Sequence, residues 1–152
     1  MDIGSGTGFP SATLSNFAPH PFTFDGVECN SMEGLLQSFK FSNPEMQKEV
    51  CKLVGKQAKF KGKKKKWWRT QTLHWQGKTF KRDSVEYQAL LDRAFDALAQ
   101  NASFQKALLA TGTAVLTHSI GKTKITETVL TRSEFCSRLT TIRARLQKEE
   151  RK

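Results

Sequence analysis

The chain has 152 residues, 38% hydrophobic and 26% charged, which is one domain's length by the usual roughly 100–200 residues per domain and long enough to bury a core without disulfides or metals. No stretch approaches the ~18 consecutive apolar residues of a membrane-spanning helix, and the first 20 residues lack the basic-then-apolar pattern of a secretory signal. The net charge of +11 is concentrated: residues 50–82 hold 12 of the 25 Lys and Arg and none of the 14 Asp and Glu, so the rest of the chain is close to neutral. Such a segment favours polyanions, whether phosphates, nucleotides or nucleic acid. The plainer reading is a solvated charged loop that aids solubility.

Residues 1–30 are rich in Gly, Pro, Ser and Phe, and Asp25-Gly26 lies between Phe22, Phe24 and Val27. That predicts a short hairpin or an extended arm, with residues 1–12 flexible. Over 31–41 the apolar Met32, Leu35, Leu36 and Phe39 share one face, as a first helix requires. Asn43-Pro44 reads as the N-cap and first position of a second helix, with Met46, Val50, Leu53 and Val54 as apolar positions and Gly55 as its stop. The basic stretch follows and ends in Trp67-Trp68. A helix is expected over 84–99, burying Tyr87, Leu91, Ala94, Phe95 and Leu98, and a shorter one over 102–110, stopping near Gly112. Thr131-Arg132-Ser133-Glu134 is a capping-box pattern that opens the last helix. Its core face is Phe135, Leu139, Ile142 and Leu146, and its end at 148–152 is expected to fray. The fold class is mainly α: multihelical, α+β with a small β-hairpin near the N-terminus, in a single compact domain over 1–152.

Three cysteines at wide spacing, with no CxxC and no His/Cys cluster, indicate neither a disulfide framework nor a zinc site. Reduced thiols in the cytoplasm fit this usage best. His20, His74 and His118 are far apart in the sequence, so no metal site is expected from them. The first helix carries a second pattern. At about 100° per residue, Glu33, Gln37 and Lys40 fall within a sector of roughly 60°, beside the apolar face. A carboxylate, an amide and an amine on one stripe can perform acid/base or nucleophilic chemistry, or can be an ordinary exposed charge stripe.

The flanking residues form an ordered string: Leu14-Ser15-Asn16-Phe17, Pro19, Pro21-Phe22, Asp25-Gly26, Ser31-Met32-Glu33, Gln37 and Lys40-Phe41. Further along come Ala58 with Lys59 and Gly62, then Leu108-Leu109-Ala110-Thr111-Gly112, Leu116, and Arg138-Leu139 with Ile142-Arg143. In order and spacing, over about residues 14–146, this string resembles the NADAR (YbiA-like) family. The sequence departs from that family in two places. Gly34 stands where the family usually has a His after the motif Glu, and the family's Trp-Gly and late acidic segment is replaced by His118-Ser-Ile-Gly121-Lys-Thr-Lys-Ile-Thr-Glu127-Thr.

The resemblance implies an N-glycosidase. Such a hydrolase cleaves the bond between a ribose anomeric carbon and an exocyclic amine on a base, with no metal or redox cofactor. Two substrate classes go with it: ADP-ribose on the guanine amino group of nucleic acid, and phosphoribosylamino-pyrimidine intermediates of riboflavin synthesis. ADP-ribosylglycohydrolase action, the reversal of guanine ADP-ribosylation, is the first reading. Glu33 is the candidate acid/base and Lys40 the candidate nucleophile or electrostatic partner. Asn16 and Gln37 are candidates to orient the sugar or base, Phe17, Trp67, Trp68 and Trp75 to stack on it, Lys59 to meet phosphate, and Glu127 to take the late acidic role. The expected partners are the ADP-ribosylated or phosphoribosylated base and, through residues 50–82, nucleic acid; no membrane is expected. A non-catalytic nucleic-acid-binding module is the competing reading of the basic segment with its tryptophans.

Overall fold

One apolar core runs from Ile3 near the N-terminus to Ile142 in the last helix, and the helices present their buried residues to it or to one another. The structure is a computed structural model that describes residues 1–6 and 8–151; the expectations of flexibility at Thr7 and Lys152 lie outside the described residues. A single turn of helix, α1 (Ser11–Leu14), leads to the hairpin β1 (Phe22–Phe24) and β2 (Val27–Cys29), paired antiparallel with Phe24 opposite Val27. The hairpin forms where the Asp-Gly signal placed it. Asp25 and Gly26 both take positive φ, 48° and 79°, as a two-residue hairpin turn of matching twist requires.

Helix α2 (Met32–Ser38) is capped by Ser31, whose hydroxyl accepts from the Gly34 amide at 3.0 Å and donates to the Leu53 carbonyl at 3.0 Å. Its apolar stripe of Met32, Leu35 and Leu36 is buried, and Phe39 just beyond it is fully buried. Helix α3 (Pro44–Cys51) opens as expected, with Asn43 Oδ1 accepting from the Glu45 and Met46 amides. It ends three residues early, at Cys51, because Leu53 and Val54 leave the helix to lead into a new one. That new helix, α4 (Gly55–Lys63), was not expected. Gly55 begins it at φ 55° and does not simply stop α3. After a 3-10 turn at Trp67–Arg69, a second unexpected hairpin pairs β3 (Thr72–Trp75) with β4 (Lys78–Lys81) through Gln76-Gly77, again with two positive φ values. Gln47 joins these parts: its buried Nε2 donates to the carbonyls of Ser38, Phe41 and His74.

Helices α5 (Val85–Leu98) and α6 (Ala102–Ala110) follow the expected spans, each with a side-chain N-cap, Ser84 and Asn101. Helix α7 (Arg132–Glu150) opens with a complete Thr131/Glu134 capping box and buries Phe135, Leu139 and Ile142; it continues as helix into the stretch 148–152. The N-terminal residues, within the segment expected to be flexible, are packed: Ile3 is fully buried and Asp2 bridges to Thr117. No described helix is long and apolar enough to cross a membrane.

Candidate functional site

The site grows out of α2. The Glu33 amide, one of the four that a helix start leaves without a partner in the helix, donates to the Asn16 carbonyl at 3.1 Å, so the Leu14–Phe17 segment is folded over the first turn. Gly34, on the opposite side of that turn, packs against the end of α3. A Cβ there would lie 2.6 Å from the Leu53 carbonyl oxygen and 3.0 Å from that of Val50. The histidine that the resemblance leads one to expect at this position has no room unless α3 moves away. Close packing of α2 on α3 is therefore the physical content of that departure.

With α2 held in this way, Glu33, Gln37 and Lys40 line a single cavity of about 480 Å³, within the usual range of small-molecule sites. The stripe read from the helical period thus faces a concave surface. Asn16, Phe17, Lys59, Trp67 and Glu127 line the same cavity. Two of the four aromatic candidates lie elsewhere. Trp75 is 3% exposed in the core, stacked on Phe24 at 5.4 Å between ring centres, with its indole N–H on Asp25 Oδ2 at 2.8 Å. Trp68 is exposed on the surface beside Arg69, outside the cavity lining. Sequence could not separate these because a tryptophan beside basic residues and a tryptophan in a buried strand have the same composition; only their packing differs.

Gln37 is buried and fixed from two sides. Its Nε2 donates to Glu33 Oε1 at 2.8 Å, and its Oε1 presses on Gly62 of α4 with no hydrogen-bond partner. Glu33 is packed round with protein atoms, and that burial raises its carboxyl above the ordinary range, against the lowering effects of the Gln37 hydrogen bond and the nearby charges of Lys40, Lys59 and His118. Burial also brings the Lys40 ammonium down to about 8; Glu33 opposes that shift, while Lys122 and Lys59 add to it. Burial therefore moves both groups in the direction of their neutral forms, and a carboxyl and an amine face one cavity. Such a pair can give a proton and attack an electrophilic carbon. Perturbed titratable groups in a cleft are a common mark of a functional site.

Among the lining residues without an expected role are two with titratable side chains in the loop 111–131 between α6 and α7, His118 and Lys122. The signal that could have found them was the stretch 118–127, already set apart as replacing the family's acidic segment. Their distance from α2 in sequence hid them. The loop is fixed by hydrogen bonds to its carbonyls, from Tyr87 Oη to Val129 at 2.6 Å and from Arg82 Nε to Thr128 at 2.8 Å.

Residues 8–144 match the family described as bacteriophage protein GP30.3. The chain belongs to the bacteriophage GP30.3 family. A relative described as an uncharacterized 17.1 kDa protein in the Gp30-rIII intergenic region of Enterobacteria phage T4 is 40% identical over 149 residues, 94% of this chain and 96% of that protein. Among solved structures, the Escherichia coli protein YbiA, determined by NMR, matches with a TM-score of 0.64 at 21% identity, covering 99% of this chain and 86% of YbiA. This GP30.3 protein therefore has the YbiA fold.

Proposed function

We propose that this GP30.3 protein is an N-glycosidase that hydrolyses the bond between ribose C1 and an exocyclic amine, acting on ADP-ribose attached to guanine in nucleic acid. One observation carries the reading: Glu33 and Lys40, one helix stripe apart from the core face, line one cavity and are both displaced toward neutrality by burial. The YbiA fold and the ordered NADAR-like string support it. The preference for a diphosphate-bearing substrate rests on Lys59, Lys63 and Lys122, all three of which line the cavity.

The chemistry follows from these forms. The exocyclic N-glycoside opens to an imine at C1 as the bond from C1 to the ring oxygen breaks, the ring oxygen keeping that electron pair and taking the proton that the base N–H gives up. The neutral Lys40 amine adds to C1 and forms a new C–N bond. Glu33 gives its proton to the departing base nitrogen, which leaves with the electron pair of the old C1–N bond. Water then adds to the Lys40 imine, the Glu33 carboxylate takes a water proton, and the sugar leaves with Lys40 restored. Gln37 keeps the Glu33 carboxyl oriented throughout by its 2.8 Å hydrogen bond.

Hydrolysis of ADP-ribosyl-guanine DNA by wild type, Glu33→Gln and Lys40→Ala tests the reading. Each variant should lose about 10²- to 10⁴-fold in turnover, the usual worth of a positioned acid/base. Wild-type rates in both would remove the assignment. Borohydride during turnover should leave a sugar on Lys40, and its absence there would make Lys40 an electrostatic partner of Glu33. Turnover of a free phosphoribosylamino-pyrimidine in place of the DNA would move the protein to the other substrate class.

A further inference from the structure

The loop that closes the cavity is held by the first three residues of the chain in an unusually dense set of bonds. Asp2 accepts from the Ser119 amide at 2.7 Å, from the Ser119 hydroxyl at 2.6 Å and from the Thr117 hydroxyl at 3.1 Å. The Ile3 amide donates to the Thr117 carbonyl at 2.8 Å, and the Thr117 amide donates to the Met1 carbonyl at 2.9 Å. Residues on both sides of His118 are therefore clamped. His118 itself is fixed twice more: Nδ1 lies 2.8 Å from the Ile3 carbonyl oxygen, and the ring sits edge-on to Phe135 at 5.2 Å between centres.

That geometry decides where the proton is. A carbonyl oxygen only accepts, so the Nδ1 that bonds it must carry hydrogen. In the neutral ring Nε2 is then a bare acceptor, and among the described residues no hydrogen bond ends on it. His118 lines the same cavity as Glu33 and Lys40. The rest of the wall is rich in donors, with the amines of Lys40, Lys59, Lys63 and Lys122. Sugar hydroxyls have hydrogens to donate, and a bare His118 Nε2 adds a neutral ring acceptor to the side-chain oxygens of Asn16, Glu33, Gln37 and Glu127 along the same lining.

We propose that His118 is a substrate-contacting residue of the cavity, accepting a hydrogen bond at Nε2 from a ribosyl hydroxyl, with the Met1–Ile3 arm as the device that holds its ring. Asp2 and Ile3 act through His118 and are positioning residues. The inference rests on the cavity's being a ribosyl site, and it concerns binding, not the bond-breaking step.

Two measurements on the full chain test it. The first is ¹⁵N NMR of the histidine-labelled protein at a pH where the ring is neutral. It should show hydrogen on His118 Nδ1 and none on Nε2; hydrogen on Nε2 overturns the proposal. The second is calorimetric titration with ADP-ribose. In His118→Asn the amide can still reach the Ile3 carbonyl but nothing replaces Nε2, so affinity should fall about tenfold, about 1.4 kcal/mol, when measured well below a melting temperature that the lost Phe135 ring contact lowers. His118→Gln, which returns a polar group near Nε2, should recover part of that loss. Wild-type affinity in His118→Asn, an equal loss in both variants, or a loss that only tracks lowered stability overturns the proposal while leaving the N-glycosidase reading intact. Failure of the wild type to bind ADP-ribose removes the ribosyl reading of the cavity, and this inference with it.

Discussion

At the scale of single residues, the geometry of the proposed catalytic pair depends on one amide. Gln37 connects the acid to the scaffold, because its Nε2 holds Glu33 while its Oε1 rests on Gly62. A Cβ at position 62 would sit 1.8 Å from that Oε1 and 3.1 Å from the Gln37 Cβ, so the glutamine side chain cannot keep its place beside even an alanine. Gly62→Ala removes a glycine from a helix and should gain about 0.8–1.0 kcal/mol in helix propensity, offsetting part of the packing cost. We therefore expect a modest change in melting temperature but a drop of at least tenfold in turnover of the ADP-ribosyl substrate. Activity equal to wild type would show that Gln37 does not orient Glu33. The proximity of Ala58, Lys59 and Gly62 in sequence was visible beforehand; that Gly62 serves Gln37 was not, because the two meet only when α4 lies against α2.

At the scale of elements, legibility in the sequence followed the strength of the local signal. The stripes of α2, α5 and α7 were readable because their buried residues repeat with the helical period and each start has a capping side chain. Helix α4 was not, because it buries only Ala58 and Gly62 and the rest of its surface is lysine, glutamine and one exposed phenylalanine. The second hairpin has a period of two in which Leu73 and Trp75 are buried, but over four residues that signal is short, and Gln-Gly is a weaker turn mark than Asp-Gly. The ends of elements also carry energy that pattern reading misses. Glu134, in the first turn of α7, receives a bidentate pair from the buried Arg82 at 2.6 and 3.0 Å, along with Gln88 Nε2 at 2.6 Å and the Thr131 amide at 2.8 Å. Arg82 in turn holds the loop at Thr128. Breaking a buried pair leaves a charge uncompensated, so Glu134→Gln should cost about 3–5 kcal/mol in urea unfolding. These donors hold the Glu134 carboxyl below its ordinary value of 4.5. A depressed carboxyl adds stability above its unfolded pKa, and that contribution is lost as pH falls through the folded one. Wild-type stability should therefore decline below about pH 4.5, and Glu134→Gln should decline less steeply over the same range. Parallel acid profiles for the two proteins would remove the pair from the account.

At the scale of the whole molecule, the +11 charge resolves into different jobs. Arg82 is buried and committed to Glu134, whereas Lys59 and Lys63 line the cavity, and Lys64 and Lys66 are exposed just past the end of α4. The charge thus runs from the cavity wall out onto open surface, as an enzyme acting on a base within a polymer requires and an enzyme acting on a free nucleotide does not. Each phosphate contact to a polymer releases condensed counterions and adds about 0.7 to 0.9 to the slope of log affinity against log salt. Reversing Lys64 and Lys66 to Glu should weaken binding of ADP-ribosylated DNA and reduce that slope by about 1 to 2. Affinity for free ADP-ribose, which the cavity alone would hold, should stay within about twofold at ordinary ionic strength, because neither Lys64 nor Lys66 lines the cavity and solvent-exposed charges are screened by salt. A fall in both affinities would place these two lysines at the cavity itself. A fall in neither would confine the substrate to the cavity and leave the exposed lysines as solubilising surface, the plainer of the two readings that the charge allowed at the start.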